Sequence, residues 1–164
     1  MAIQQLLREW PPGFGGVERV AHALGSFWGG TIFSLDVQGH ACSNDDSLAV
    51  TYPRRRLRSI RVFGRLHLPL PCQSLILLLT SSQPLHGHLP SPGVLFLLLL
   101  ARLFRPRRIV TAHWHSFLSK KPGLSGFLFG LYQSISLRFL PYLSGVVTTS
   151  PALSAELQQC GCSP

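Results

Sequence analysis

Two His-x-His pairs are the side chains in this sequence that could most readily carry chemistry. His86 and His88 form the first pair, and His113 and His115 form the second. Residues two apart in a strand point to the same face, and neutral imidazole is a frequent zinc ligand. One interpretation is therefore a metal site built from all four. Catalytic metal centres often also use carboxylates, and residues 47–155 contain no Asp or Glu, so we expect a site without metal.

A glycine-rich segment is a third candidate, because it follows a predicted strand as both histidine segments do. The three segments are residues 12–16, 86–90 and 111–115. Glycine allows close backbone approach, and the free amides of a following helix favour an anion such as phosphate. Gly15 and Gly16 could bind phosphate in this way or could form a simple tight turn, since the full GxGxxG pattern is absent.

The elements that must position these residues alternate between strand and helix. Apolar runs and turn residues predict strands at residues 3–7, 31–35, 85–88, 108–112 and 146–149, and helices at residues 17–24, 75–79, 92–104, 124–143 and 152–159. The alternation predicts an α/β fold, with a Rossmann-like parallel sheet flanked by helices. Such sheets bind ligands at the carboxyl ends of their strands, which is where the candidate residues lie.

Three parts of this prediction are less regular. The short apolar run at residues 75–79 could also be a buried strand. In the first helix, the apolar residues recur on one face, so Glu18, Arg19 and His22 are expected to point away from the core. The stretch of residues 37–65 is polar and basic, and it predicts a hairpin.

Length, composition and charge limit the class of protein. The chain has 164 residues, 46% of them hydrophobic and 13% charged, which suits one folded domain and excludes general disorder. The net charge of +9 implies an anionic partner. Six arginines fall between Arg54 and Arg65 without an acid among them. They could form a solvated basic surface or contact an anionic membrane. Nucleic acid is not expected, because aromatic residues for base stacking are not interleaved there.

The cysteines and apolar runs indicate the compartment. Four cysteines form no CxxC pair, and polar residues interrupt the N-terminal run where a signal peptide would be apolar. The longest apolar run, at residues 94–100, is far shorter than the ~18–20 residues that span a bilayer. We therefore expect a cytoplasmic protein, with any membrane contact peripheral and on the inner face of the cell membrane.

Four segments in order carry a family resemblance. They read GGVERVAHAL, HGHLPSP, IVTAHWHSF and VVTTSPAL, and together they resemble the N-terminal domain of family-4 glycosyltransferases, which have the two-domain GT-B fold. The resemblance extends over nearly the whole chain. No single segment is specific, and the order and spacing of all four support it.

The resemblance implies roles for individual residues. Gly15 and Gly16 would lie at the cleft near the donor phosphates and the acceptor. His113 would face the acceptor and the reacting sugar as the catalytic residue, with His115 as the neighbouring option. His88 corresponds to a histidine at a strand end, and Ser150 to the serine after the last strand of the domain. For His113, a purely structural role stays open beside this one.

The resemblance also implies an activity. A complete enzyme would transfer a hexose from a nucleotide sugar to an acceptor, such as a lipid-linked sugar or a polysaccharide precursor, with retention at the anomeric carbon and no cofactor. Family members carry a Glu-x7-Glu pattern in the C-terminal, donor-binding domain, and this sequence has none. We therefore expect residues 1–164 to be the acceptor-side domain, to lack the donor-binding domain and to be inactive alone. The alternative is a non-catalytic module that binds anionic lipid or a partner protein.

Overall fold

Seven strands form one sheet in the part of the chain that the computed structural model describes, which is residues 2–8, 15–37, 50–63, 66–117 and 123–162. They are β1 (Gln4–Leu7), β2 (Ile32–Val37), β3 (Arg54–Phe63), β4 (Leu66–Pro69), β5 (Leu85–Leu89), β6 (Val110–Trp114) and β7 (Gly145–Thr148). Their order across the sheet is β4-β3-β2-β1-β5-β6-β7. All neighbours pair in parallel except β3 and β4.

Helices cover the two faces unequally. They are α1 (Gly16–Trp28), α2 (Gln73–Thr80), α3 (Pro92–Phe104), α4 (Gly123–Phe139) and α5 (Pro151–Gln159), and a 3-10 turn (Leu140–Tyr142) follows α4. A large apolar cluster joins one sheet face to α2, α3 and the segment after α4. A much smaller cluster lies under α1 on the other face. The predicted α/β, Rossmann-like architecture is confirmed. None of the helices within the described ranges is long and apolar enough to cross a bilayer.

The observed elements differ from the predicted ones mainly in their boundaries. Residues 86–89 and 111–114 are strand residues, so two of the three predicted loop segments lie almost wholly within the sheet. Residues 75–79 belong to α2, as expected. The basic stretch forms an antiparallel hairpin of β3 with β4, and β3 also pairs in parallel with β2. Residues 12–14 and 38–49 lie outside the described residues.

Helix α1 is turned slightly from the orientation that its apolar residues predicted, since Ala21 is buried and Arg19 is exposed as expected. Glu18 is buried, so the expectation that it points away from the core is wrong. Ala21 and Gly25 are buried with it. The sheet lies very close here, because a Cβ added to Gly25 would be 2.6 Å from Cδ1 of Ile32. The small residues Ala21 and Gly25 therefore allow the helix to approach the sheet closely on this side.

A buried arginine closes the amino end of the sheet. The guanidinium of Arg108 donates hydrogen bonds of 2.6 Å to the carbonyl oxygens of Leu78 and Gln83, and one of 2.7 Å to Oε1 of Gln4. Burial lowers the pKa of Arg108 to about 10, so it remains charged at neutral pH. The backbone N–H of Arg108 donates to the carbonyl oxygen of Arg105 over 2.9 Å in a turn, so β6 begins at Val110 instead of at the predicted residue 108.

Gly87 is a point of close contact between β5 and α3. An added Cβ would lie 2.5 Å from Cδ1 and 2.7 Å from Cδ2 of Leu98, which is fully buried. At Gly145, on β7, the nearest atom to an added Cβ is 4.0 Å away. Absence of a side chain at Gly87 is therefore a packing requirement of the sheet.

We expect Gly87→Ala to lower the free energy of unfolding by about 1–3 kcal/mol, because overpacking forces α3 away from the sheet. Urea denaturation measures the change, and Gly145→Ala is the matched control, with an expected effect below about 0.5 kcal/mol. Leu98→Ala combined with Gly87→Ala should cost less than the sum of the two single changes. Equal stability losses for the two glycine variants would contradict the packing explanation.

Candidate functional site

Four imidazoles gather on the face of the sheet that α1 only partly covers. In the parallel pairing of β5 with β6, His86 is opposite Thr111 and His88 is opposite His113. Residues paired in this way, and residues two apart along each strand, share a face. His115 follows the end of β6 and lies beside the same group. We call His86, His88, His113 and His115 the imidazole cluster.

The rings of the imidazole cluster are in contact with one another. The ring centroids of His113 and His115 are 4.0 Å apart, and these two rings are stacked. His88 lies 5.2 Å from His86, 5.8 Å from His113 and 5.3 Å from His115. Trp28, at the end of α1, meets His86 edge-on at 5.3 Å. The cluster is thus a continuous group from Trp28 to the carboxyl edge of β6.

Hydrogen bonds hold two of the rings in fixed orientations. Nδ1 of His86 lies 2.8 Å from Oγ1 of Thr111. Nε2 of His88 donates to Oε1 of Gln5 over 2.9 Å, and its Nδ1 lies 3.0 Å from Nε2 of His115. Gln5 and Thr111 therefore orient the cluster from the neighbouring strands.

Other ring nitrogens of the cluster are buried without a hydrogen-bond partner. Among the described residues, these are Nε2 of His86 and both nitrogens of His113. A buried polar atom without a partner costs roughly 1–3 kcal/mol. These ring nitrogens can therefore donate or accept a hydrogen bond, or bind a metal, when a ligand is present.

The cluster is electrically neutral at physiological pH. Burial, and then the charges of His113 and His115, lower the pKa of His86 to about 4. Burial and His113 likewise lower the pKa of His115 to about 4. Burial holds the pKa of His88 well below its usual value and also lowers that of His113. Neutral imidazoles can accept a hydrogen bond or bind a metal, but rings with a lowered pKa are weak bases.

The predicted site residues fall into two groups. His88, His113 and His115 meet in the imidazole cluster, and the first two are buried. Gly15 and Gly16 lie at the N-terminus of α1, where Gly15 is the N-cap and contributes no side-chain hydrogen bond. These glycines follow β1, the strand whose Gln5 contacts His88.

Ser150 has a structural contact of its own. It is exposed and caps α5, because its Oγ accepts a hydrogen bond of 3.3 Å from the backbone N–H of Leu153. Thr149, beside it, donates over 3.4 Å to the carbonyl oxygen of His115. The loop after β7 is therefore tied to the end of β6, although Ser150 itself is outside the imidazole cluster.

Sequence reasoning missed two residues that orient the imidazole cluster, and it placed Glu18 on the exposed side of α1. Gln5 is fully buried in β1, Thr111 is bonded to His86, and Glu18 is buried at the start of α1. A polar pair, Gln4 and Gln5, in an otherwise apolar strand was the available signal for the first. Thr111 lies two residues before His113, so period-two reasoning could also have found it.

Comparisons with known proteins agree on the kind of domain. The sequence profile of Glycosyltransferase Family 4 matches residues 14–164. A solved structure with the same fold is the crystal structure of Anabaena Alr3699/HepE in complex with UDP, with a TM-score of 0.61 and 15% sequence identity. The alignment covers 99% of this chain but 41% of that chain. No curated protein matches the sequence significantly.

The imidazole cluster should make stability fall in mild acid. Above pH 6.5 the histidines are neutral in both folded and unfolded chains, so they add no pH dependence. As the pH falls from 6.5 towards 4, the histidines of the unfolded chain bind protons while those of the folded cluster stay neutral. The unfolded state is therefore stabilised relative to the folded one. Each such histidine contributes a loss of up to about 1.4 kcal/mol per pH unit.

Urea denaturation between pH 7.5 and 5, with a chelator present, measures this dependence. His86→Gln should flatten it, because this variant removes one of the buried rings with a lowered pKa. If the free energy of unfolding does not vary over this pH range, the folded chain binds protons at these rings as readily as the unfolded chain does.

Proposed function

Because this chain belongs to Glycosyltransferase Family 4, we propose that it is the acceptor-side domain of a glycosyltransferase. The whole enzyme would transfer a hexose from a nucleotide sugar to an acceptor hydroxyl. The observation that carries the proposal is the imidazole cluster at the carboxyl ends of β5 and β6, the sheet edge where such folds bind ligands.

In this proposal the cluster holds the acceptor. His115 is only partly buried and stacks on His113, so together they form a path from the surface to the buried rings. His113 is the catalytic residue, and its unpartnered nitrogens can bind the reacting hydroxyl or a sugar oxygen. His88 supports His115 through the 3.0 Å contact between their nitrogens.

The chemical step follows from the neutrality of these rings. The bond from the anomeric carbon to the phosphate oxygen breaks, a bond to the acceptor oxygen forms, and the acceptor proton leaves. Imidazoles with a lowered pKa hold that proton poorly, so we assign it to the departing phosphate and assign orientation to His113. Retention at the anomeric carbon is part of the proposal.

Phosphate recognition is assigned to the other predicted residues. Gly15, the N-cap of α1, has no side chain with which to bond the first amides of the helix, and a helix N-terminus favours an anion. Ser150 begins α5 at the same edge of the sheet. The comparison structure contains UDP, which supports a nucleotide-sugar donor. That chain is much longer than this one, so we place most of the donor contacts in a second domain.

A peripheral membrane contact is also part of the proposal. Arg56 and Arg58, two residues apart on β3, share a face and are partly exposed and exposed, respectively, and this strand lies near one edge of the sheet. Exposed cations near a surface attract anionic lipid headgroups. An acceptor anchored in a membrane would then be held close to the cluster.

The alternative function, a non-catalytic module that binds lipid or a partner, has its own support. Helix α4 exposes large apolar side chains at intervals of three or four residues, which places them along one stripe. They are Leu124, Phe127, Leu131, Ile135 and Phe139, exposed by 40–71%. A stripe of this kind is typical of a helix that docks on another surface.

We expect the isolated chain to show only background sugar transfer. Holding donor and acceptor together in reacting geometry is worth roughly 7–11 kcal/mol, and a domain without most donor contacts loses that effect. The assay uses a panel of nucleotide sugars with lipid-phosphate acceptors, without and with an added donor-domain polypeptide.

Transfer should appear only with the added polypeptide, and His113→Gln should then lower kcat by about a hundredfold. His22→Gln is the control and should leave kcat unchanged. Full activity from the isolated chain would contradict the proposal that most donor contacts lie in a second domain. A tightly bound but inactive pair would favour the non-catalytic module.

We expect the chain to bind vesicles that contain anionic lipid and to bind neutral vesicles weakly. Each arginine near such a surface contributes about 1 kcal/mol, so replacing Arg56 and Arg58, which share a face of β3, by Ser should weaken binding by about thirtyfold. Vesicle sedimentation measures it. Replacing Arg105 and Arg107, both exposed, changes the net charge equally and is the control. Equal losses from the two pairs would assign the effect to net charge instead of to β3.

A further inference from the structure

Three buried histidines bring one ring nitrogen each close to the other two. One ring nitrogen from each of His86, His88 and His113 lies within 4.8 Å of the other two. These residues are 4%, 2% and 8% exposed. Exposed clusters of polar side chains are common and mean little, whereas burying three imidazoles together costs desolvation energy.

Each of the three rings has a nitrogen that can present a lone pair to an ion. The Nδ1 of His86 is taken by Thr111, which leaves its Nε2 without a partner among the described residues. The Nε2 of His88 donates to Gln5, so its Nδ1 carries a lone pair, which lies 3.0 Å from Nε2 of His115 and would turn to the ion. Both nitrogens of His113 are likewise free of partners within the described part of the chain.

The contacts behind two of these rings match those of metal ligands. A histidine that binds a metal through one nitrogen usually donates its other N–H to an oxygen acceptor, which fixes the ring. Oγ1 of Thr111 and Oε1 of Gln5 hold His86 and His88 in this manner. Both residues come from strands of the same sheet, so the arrangement is rigid.

We propose that His86, His88 and His113 bind one divalent transition-metal ion, for which Zn²⁺ is the best match. Three imidazoles with a fourth position open to water or another ligand are a known zinc arrangement. His115 is the side chain placed to fill that position, since its Nε2 is 3.0 Å from Nδ1 of His88. Metal binding at this position does not depend on the proposed transferase activity.

The geometry requires only a small adjustment. Zinc–nitrogen bonds of about 2.0–2.1 Å in a tetrahedron place the nitrogens about 3.4 Å apart. The three nitrogens, now within 4.8 Å of one another, would have to approach by about 1 Å. Small rotations of the His113 ring, whose nitrogens have no hydrogen-bond partner among the described residues, could supply most of this movement.

The lack of Asp and Glu in residues 47–155 does not argue against this site. The sequence alone favours a site without metal, because residues 47–155 contain no acid. A three-histidine site needs none, and neutral ligands leave the ion its full charge of +2. Metal binding and acceptor binding would compete for His113, so the ion would be structural or inhibitory.

The test is metal binding by the purified 164-residue chain, produced without a histidine tag and freed of metal with a chelator. Calorimetric titration with Zn²⁺ should give one ion per chain. Co²⁺, used as a coloured substitute, should give the strong visible absorption of a four-coordinate ion. His86→Gln and His113→Gln should each weaken Zn²⁺ binding by about a hundredfold or more, while His22→Gln should not change it.

A folding control separates loss of a ligand from loss of the fold. Circular dichroism in chelator shows whether the variants fold, and Thr111→Val keeps all three ligands while removing the contact to His86. This variant should bind Zn²⁺ about tenfold more weakly. The proposal is overturned if the chain binds no Zn²⁺ at micromolar concentration. It is also overturned if binding survives both histidine substitutions, because the ion would then lie elsewhere.

Discussion

The parallel pairing of β5 with β6 is the interaction on which the site depends. Its register places His88 opposite His113 and Gly87 opposite Ala112. One face of the pair therefore carries imidazoles, and the other carries small and apolar side chains that meet α3. A shift of one residue would send the histidines into the apolar core, where burying four polar rings is very unfavourable. The pairing that sets the register of β5 and β6 therefore also sets the positions of the histidines in the site.

The unequal faces of the sheet allow a buried polar cluster without loss of the fold. The large apolar cluster, which includes Phe33, Leu98 and Trp114, lies on one side and supplies most of the hydrophobic stabilisation. The side under α1 has a small apolar cluster and carries Gln5, Ser34 and the imidazoles. Arg108 adds a second buried polar centre at the opposite end of the strands, where it joins β1, α2 and the loop before β5. The free-energy cost of burying these polar side chains is thus offset by apolar packing on the opposite face of the sheet.

The same nitrogens support two uses. An acceptor sugar would reach His113 through His115, whereas a metal ion would draw His113 towards His86 and His88. Both uses require neutral rings, which burial provides. The two uses differ in what limits them: acceptor binding needs an open path at the surface, and metal binding needs three rings to close on one point.

Local pattern along the chain by itself determined much of this protein. Alternating strands and helices predicted the α/β sheet, and four ordered segments indicated the glycosyltransferase family. Both signals could be read from the sequence because each strand, helix or segment is a short contiguous stretch of chain. His88, His113 and His115 were found by their spacing within single strands. Tertiary structure decided the rest. Gln5 and Thr111 join the site only through strands that are neighbours in the sheet, and Glu18 is buried beside Ala21 and Gly25 where α1 packs closely on the sheet. Which histidine nitrogens stay without partners is likewise a property of packing between strands distant in sequence, which no spacing along the chain encodes.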